Sequence, residues 1–200
     1  MHIVDKLFYL PIFAPILPFQ PYFYKIQAQT HDIITDLNLI SALSVEKTEE
    51  NYRFTTYLQN HQLDGIDHQV FNLNRQISAS IDCQKCGNCC KTLMIVVTEA
   101  EANQVSTHLN QTRKVFDESH LEKGSKGLMI LNTMPCSFLK ENSCTIYEKR
   151  FEGCKEFPAL HLPDFQKRIF THFMHYDRCP IIFNVMEQLK IDLNFEKELS

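Results

Sequence analysis

The residues of this chain whose type and spacing could do chemistry are its eight cysteines. Residues 1–82 contain none of them, and the first four form one run, C-x2-C-x2-C-C, over residues 83–90. Two cysteines spaced C-x2-C can reach one metal ion, because a tight turn brings their sulfurs together while backbone N–H groups point at them. Since the spacing is repeated and four more cysteines follow, the sequence predicts metal binding centred on residues 83–90.

The adjacent residues Cys89 and Cys90 affect how the eight thiols can be divided among metal centres. In an extended chain neighbouring side chains point to opposite sides. Either each cysteine then belongs to a different centre, or one is a ligand and the other is a packed or redox thiol. Eight thiolates could supply two tetrahedral sites of four, or one iron–sulfur cluster with cysteines to spare. Cys179-Pro180 is similar to the terminal Cys-Pro of ferredoxin-like ligation, although Pro180 also suits a helix start.

Two residues near the cysteines are candidates for supporting roles. Gly87 lies inside the run, where a positive φ or a close backbone approach costs a glycine little. Arg150 could donate hydrogen bonds to a thiolate sulfur or to a loop carbonyl, which would orient the ligands. The alternative for Arg150 is an exposed charged turn.

Three histidines are weaker ligand candidates. His172 and His175 form a His-x2-His pair close to Cys179, but on a strand residues three apart face opposite sides and would not converge. We therefore expect surface or packed histidines there. His161 could replace a cysteine in a mixed site, since zinc accepts imidazole nitrogen as well as thiolate.

Two helices are predicted before the cysteine run. Thr48, as an N-cap followed by two glutamates, predicts a helix over residues 48–62. Apolar residues spaced by three and four predict an amphipathic helix over residues 66–82. This second helix would pack on the core and lead directly into Cys83.

Two further helices are predicted after the run. Thr98 and Glu101 form a capping box, so a helix should run from there to about Leu109. Pro180 fits the first position of a last helix, over residues 180–190, with an apolar side facing the core.

The remaining segments are predicted as strands and loops. Short strands are expected over residues 93–97, 128–131 and 167–176. Residues 135–163 are expected to be loop-like and hold three of the cysteines at uneven spacing. The predicted fold class is therefore α+β, rich in helix with a small sheet, carrying cysteine-rich metal-binding loops.

Four sequence blocks together resemble a known family. They are CQKCGNCC at 83–90, PCSFL at 135–139, SCTIYEKRFEGCKEFP at 143–158 and RCPIIFNVMEQLK at 178–190. In this order they are similar to the YkgJ-like CxxCxxCC family, described as a zinc- or iron-chelating domain, over roughly residues 80–190. The resemblance implies that the metal-binding set is Cys83, Cys86, Cys89, Cys90, Cys136, Cys144, Cys154 and Cys179. One departure is Phe151, where the family commonly has proline, which is expected to loosen the loop before Cys154.

The chain is expected to divide into four regions. They are an aromatic and proline-rich N-terminal segment (1–30), a helical support region (31–82), the cysteine-cluster metal-binding domain (83–190) and a tail (191–200). The apolar stretch 7–19 is too short for a membrane span and is interrupted by prolines, so no membrane span is expected there. It also makes a poor signal peptide, because no A-x-A cleavage site follows it.

Composition restricts the function further. A net charge of −4 and a pI near 6.1 argue against a nucleic-acid partner. The five glycines form neither G-x-G-x-x-G nor a P-loop, and the carboxylates show no acid–base constellation. We therefore expect a cytoplasmic metal-binding protein without an enzymatic role, whose partner is a zinc or iron ion, with an iron–sulfur cluster as one form of the cofactor.

Two alternatives remain open at this point. One is an iron–sulfur redox or protein-modifying enzyme, since a related cysteine cluster is found in flagellin lysine methylases. The other is a secreted module held by four disulfides, which would need an oxidising compartment. A thiol–disulfide catalyst using Cys83 and Cys86 would leave six cysteines unexplained.

Overall fold

A computed structural model describes residues 32–124 and 127–195, so the predictions for residues 1–30 lie outside the described part. Its helices are α1 Leu37–Glu46, α2 Thr48–Asn60, α3 Ile66–Ser78, α4 Cys83–Cys86, α5 Cys89–Thr92, α6 Glu99–His108, α7 Arg113–His120, α8 Glu152–Glu156, α9 Ile169–Phe173 and α10 Pro180–Asp192. Its strands are β1 Val96–Val97, β2 Leu121–Lys123, β3 Met129–Leu131, β4 Leu139–Lys140 and β5 Ser143–Cys144. The helix-rich chain with a small sheet confirms the α+β class.

The longest helices surround one apolar core, which we call the helical core. It is formed by α1, α2, α3, α9 and α10. Pro180 begins α10 at its first turn, as predicted, and every residue from Pro180 to Lys190 is buried. Because α10 is enclosed around its whole circumference, it is the central helix, and α3 is its main neighbour. Cys179, the residue before α10, is buried in this core, so the helical core includes one of the eight cysteines.

A second apolar core forms around the three-stranded sheet. The strand order is β1-β3-β2 and both pairs are antiparallel, with Val97 opposite Met129 and Leu121 opposite Leu131. Helices α6 and α7 cover the sheet, and the predicted capping box of Thr98 begins α6. This second core packs against three of the half-buried cysteines, namely Cys136, Cys144 and Cys154.

The predicted strand over residues 167–176 is wrong. The chain there forms a 3-10 turn, Phe165–Arg168, followed by α9. Its buried residues Phe165, Ile169, His172 and Tyr176 are four, three and four apart, which is a helical repeat. Phe170 remains exposed, so the alternation that favoured a strand did not mark the buried face.

Two helix boundaries also differ from prediction. The helix expected over 66–82 ends at Ser78, and Ile81 is buried beyond its end. Thr48 is the first residue of α2 and not its N-cap, since its hydroxyl donates to carbonyls of the preceding helix α1. A threonine can satisfy backbone groups on either side of a helix junction, so the residue type alone did not settle its role.

The segment predicted as loop, residues 135–163, contains short elements. Strands β4 and β5 form a hairpin whose two turn residues, Glu141 and Asn142, both have positive φ. Two such residues are the requirement of a type I′ turn. The 3-10 turn Tyr147–Lys149 and the helix α8 follow. Within residues 32–124 and 127–195, no helix is long and apolar enough to cross a membrane.

Candidate metal centre

All eight cysteines line one cavity of about 170 Å³. They come from α4, α5, the hairpin region, α8 and the residue before α10, so distant parts of the chain meet here. Each is an unpaired thiol, and none of the eight forms a disulfide. Cys179 is buried, Cys83 is exposed at the rim, and the other six are half-buried.

The first two cysteines are held on a single capped turn. Asp82 accepts hydrogen bonds from the N–H groups of Gln84 and Lys85 at 3.0 and 3.3 Å, which begins α4. Gly87 ends the turn in the left-handed region at φ +57°, and its N–H donates to the carbonyl of Cys83. The turn therefore presents Cys83 and Cys86 to the same cavity.

Gly87 is also where two cysteine-bearing segments touch. A Cβ on this residue would lie 2.7 Å from the carbonyl oxygen of Asn142, at the tip of the β4–β5 hairpin. Both reasons for glycine named from the sequence, a positive φ and a close backbone approach, are confirmed at this position. The hairpin that carries Cys144 can thus lie directly against the turn that carries Cys83 and Cys86.

The expectation of extended backbone at Cys89 and Cys90 is wrong, because the two residues begin the short helix α5. Successive residues of a helix are rotated by about 100°, so the side chains diverge without pointing in opposite directions. A hydrogen bond between the two thiols lowers the pKa of Cys89 and raises that of Cys90. The two thiols are therefore in contact with each other, and both line the cavity.

Backbone N–H groups point at three of the sulfurs. The pKa of each thiol is raised by burial, and the N–H of the residue two positions on opposes that shift. The pairs are Cys136 with Phe138, Cys144 with Ile146, and Cys179 with Ile181, and Cys179 has a stronger bond still from the N–H of Ile182. For Cys179, at the N-terminus of α10, burial still raises the pKa to about 12. Such N–H groups favour the thiolate over the thiol and stabilise metal-bound sulfur.

Cys154 is fixed through α8. The N–H of Glu152 donates to the carboxylate of Glu101, the residue that also completes the capping box of α6. Phe151 precedes α8 at φ −60°, the value that proline would have, and its side chain is 2% exposed in the second core. The expected loosening before Cys154 is not seen, because phenylalanine takes the proline-like backbone and adds buried apolar surface.

Three cations surround the thiols. Arg150, Lys155 and Arg178 line the cavity. Arg150 donates to the carbonyl of Tyr147 at 2.9 Å and stacks on its ring, which confirms the predicted bond to a loop carbonyl. Its charge also opposes the burial that raises the pKa values of Cys83, Cys144 and Cys154. A cavity of thiols edged by cations is suited to hold sulfur as thiolate.

The histidines are placed elsewhere. His172 is buried against Phe165 in the helical core, His175 packs edge-on to Phe157, and His161 is exposed. The described lining of the cavity contains no histidine, aspartate or glutamate. The expectation that the histidines are packed or exposed is thus met, although the strand from which it was argued is absent.

The thiols surround the cavity without meeting at one point. Among the residues that the structure describes, no three Cys, His, Asp or Glu side chains already have the separations of a metal site. The donor set nevertheless fits zinc or iron: it is all thiol, it lacks carboxylate, and N–H groups and cations favour its ionised form.

Several residues of the site were not found from the sequence. Lys155 and Arg178 each stand next to a cysteine, and charge beside a thiol is the signal that could have marked them. Asn88 donates to the carbonyl of Arg178 at 2.7 Å and so ties the cysteine run to the start of α10. The meeting of Asn142 with Gly87 had no sequence signal, because it depends on how the hairpin docks.

Comparison with known proteins agrees with this geometry. Residues 82–179 match the sequence model of the CxxCxxCC family, whose description reads "putative zinc- or iron-chelating domain". The matched range contains all eight cysteines. Neither the curated proteins nor the solved structures gave a match.

Proposed function

We propose, from the match of residues 82–179 to the sequence model of the CxxCxxCC family, that all eight cysteines serve as thiolate ligands for zinc or iron. The observation that carries this proposal is the convergence of eight unpaired thiols from five segments on one cavity. A 200-residue chain with two apolar cores does not need disulfides to fold, so the thiols call for a chemical role.

The role that suits such a ligand set is a closed structural site. Four protein sulfurs complete a tetrahedral zinc site and leave no position for a substrate or a water. The bound ion would neutralise thiolates that repel one another, and it would clamp the hairpin and α8 onto the turn at α4. Binding releases the thiol protons, so metal loading and the fold of residues 135–163 become linked.

We also propose that the protein acts in the cytoplasm. Reducing conditions keep thiols available for metal, whereas an oxidising compartment would favour disulfides. The eight unpaired thiols support the first setting. Counting thiols in unreduced, metal-free protein would test it, because a disulfide-held module would leave few of them free.

A second candidate is an iron–sulfur protein that transfers electrons or serves a modification reaction. The observation that favours it is the set of N–H groups at Cys136, Cys144 and Cys179, because hydrogen bonds to sulfur adjust the reduction potential of such clusters. Only the metal content separates this candidate from a zinc site.

The experiment that tests both is metal analysis of anaerobically purified protein together with a visible spectrum. Zinc at about two ions per chain in a colourless sample would support the structural site. Iron with an absorption band near about 400 nm would support the iron–sulfur candidate. Protein that holds neither zinc nor iron, and takes up neither on addition under reducing conditions, would overturn the proposed function.

A further inference from the structure

We infer that the eight cysteines form two four-thiolate centres and that the adjacent pair Cys89 and Cys90 is divided between them. The first thiol set is Cys83, Cys86, Cys89 and Cys179. The second thiol set is Cys90, Cys136, Cys144 and Cys154. This inference rests on the proposed function, because it requires the thiolates to be ligands, and it adds which sulfurs share an ion.

The first thiol set is assembled where the cysteine run meets the start of α10. Cys83 and Cys86 share the single turn of α4, and the charges of both add to the burial that raises the pKa of Cys179. The amide of Asn88 donates to the carbonyl of Arg178, which fixes the run against the residue before Cys179. These three sulfurs therefore belong together on the side of the helical core.

The second thiol set is assembled against the other apolar core. The N–H of Cys136 donates to the carbonyl of Cys90 at 2.8 Å, so these two backbones are joined directly. Cys136, Cys144 and Cys154 all pack on the core around the three-stranded sheet. Burial raises the pKa of Cys154 to about 12, with the charges of Cys90, Cys136 and Cys144 adding to the shift. The backbone hydrogen bond and the shared core thus place these four cysteines in the same part of the cavity.

The adjacent pair lies at the junction of the two sets. The helical turn of α5 rotates Cys90 by about 100° from Cys89, which allows each sulfur to face a different set. Asn88, which precedes Cys89, donates to the carbonyl of Arg178, which precedes Cys179, so Cys89 lies on the side of the first set. The carbonyl of Cys90 accepts from the N–H of Cys136, so Cys90 lies on the side of the second set.

Charge supports two centres placed side by side. A divalent ion with four thiolates has a net charge of 2−, so a pair of such centres would repel. Arg150 interacts with Cys83 of the first set and with Cys144 and Cys154 of the second. Arg150, Lys155 and Arg178 line the cavity that the two sets share, and their charges would offset part of that repulsion.

The direct test uses the wild-type chain loaded with cadmium-113, a spectroscopic substitute for zinc. We expect two cadmium resonances, each coupled to the β-protons of four cysteines. The protons of Cys89 and Cys179 should couple to one resonance, and those of Cys90 and Cys136 to the other. One resonance coupled to all eight, or the exchange of Cys89 with Cys90, would overturn the inference. No variant is needed, so failure to fold cannot obscure the result.

Paired serine variants give an independent test by zinc stoichiometry under a competing chelator. Cys86→Ser should lower zinc from about two ions to about one. Adding Cys89→Ser should remove nothing more, because that centre is already lost, whereas adding Cys90→Ser should remove the remaining ion. Equal loss in the two double variants would contradict the division.

The outcomes separate this inference from the function on which it rests. Wild-type protein that binds neither zinc nor cadmium would sink the proposed function itself. Wild-type protein that binds metal, but loses all of it with Cys86→Ser or with Cys144→Ser alone, would keep the function and overturn the two centres. Retention of one ion by each single variant, with loss of both in the combined variant, is the result expected.

Discussion

The helical core and the cysteine cavity differ in how the charge of their buried polar groups is balanced. In the helical core, Lys190 is 4% exposed yet contacts Glu187 at 2.7 Å, Glu50 at 2.8 Å and Asn51 at 2.6 Å. Glu187 also accepts from Tyr176 at 2.6 Å. Buried charge there is balanced by protein groups alone, which is what a stable interior requires.

The cysteine cavity lacks such internal balance. Burial raises the pKa values of Cys83, Cys154 and Cys179, and as thiolates they would repel one another. The nearby cations offset only part of that charge. The helical core is thus balanced by its own side chains, whereas the proposed thiolate ligands of the cavity would need a bound cation to balance their charge.

Metal removal should give the largest contrast between the two regions. Structural zinc contributes on the order of 10 kcal/mol, and that contribution would be lost only where the metal binds. We expect hydrogen–deuterium exchange to rise sharply at Cys136, at the β4–β5 hairpin and in α8 after chelation. Amides of α3 and α10 should remain protected. Equal loss of protection in both regions would show that the helical core is not independent.

Breaking the buried charge network of the helical core should lower the stability of the protein and leave its metal content unchanged. Lys190→Met removes the more deeply buried of the two lysines that contact both Glu187 and Glu50, and only Lys47 remains to balance them, so stability should fall by about 3 kcal/mol. Urea unfolding would measure the loss, and metal content should not change. Lys114→Met, at an exposed lysine on α7, is the matched control and should leave stability unchanged. A stable Lys190 variant that had lost metal would contradict the separation.

Acid should weaken the helical core through His172. Burial, aided by the charges of Arg168 and His175, lowers the pKa of His172 from 6.5 to about 4. Because the folded pKa is below the unfolded one, this stabilisation is present above pH 6.5 and is lost as pH falls through 4. The full effect is about 3 kcal/mol.

Unfolding measured across that pH range would check the sign. His172→Gln should flatten the dependence of stability on pH relative to wild type. His161→Gln, at an exposed histidine, should not. Metal release in acid is common to all three proteins, so the difference between the variants isolates His172. Identical slopes for the two variants would rule out this source of the acid sensitivity.

Alanine substitutions at two glycines should give the smallest and most local difference in stability. Gly65 and Gly87 both have positive φ, but a Cβ at Gly65 meets nothing within 4 Å, whereas at Gly87 it meets the Asn142 carbonyl at 2.7 Å. Gly65→Ala should cost about 1 kcal/mol from backbone strain. Gly87→Ala should cost about 2 kcal/mol more, since the hairpin must move. Competition with a chelator should show weaker metal binding for Gly87→Ala alone.

The cysteine run, the capping box and the last helix could be predicted because each depends on neighbours in sequence. Spacing of two residues decides whether thiols share a turn, and Thr98 with Glu101 decides where α6 begins. The same holds for Gly87, whose residue type anticipated its backbone. Periodicity predicted the wrong element at residues 167–176, because the positions of apolar residues do not show which of them will be buried.

The sequence by itself therefore predicted a metal-binding cluster of eight cysteines, and it determined the local backbone at Gly87. Only the tertiary structure decided which thiols are neighbours. Cys179 meets the run because α10 packs at the centre of the helical core, and Cys136 meets Cys90 through one backbone hydrogen bond. Contacts between residues so far apart in the chain depend on how two apolar cores dock, which local spacing does not encode.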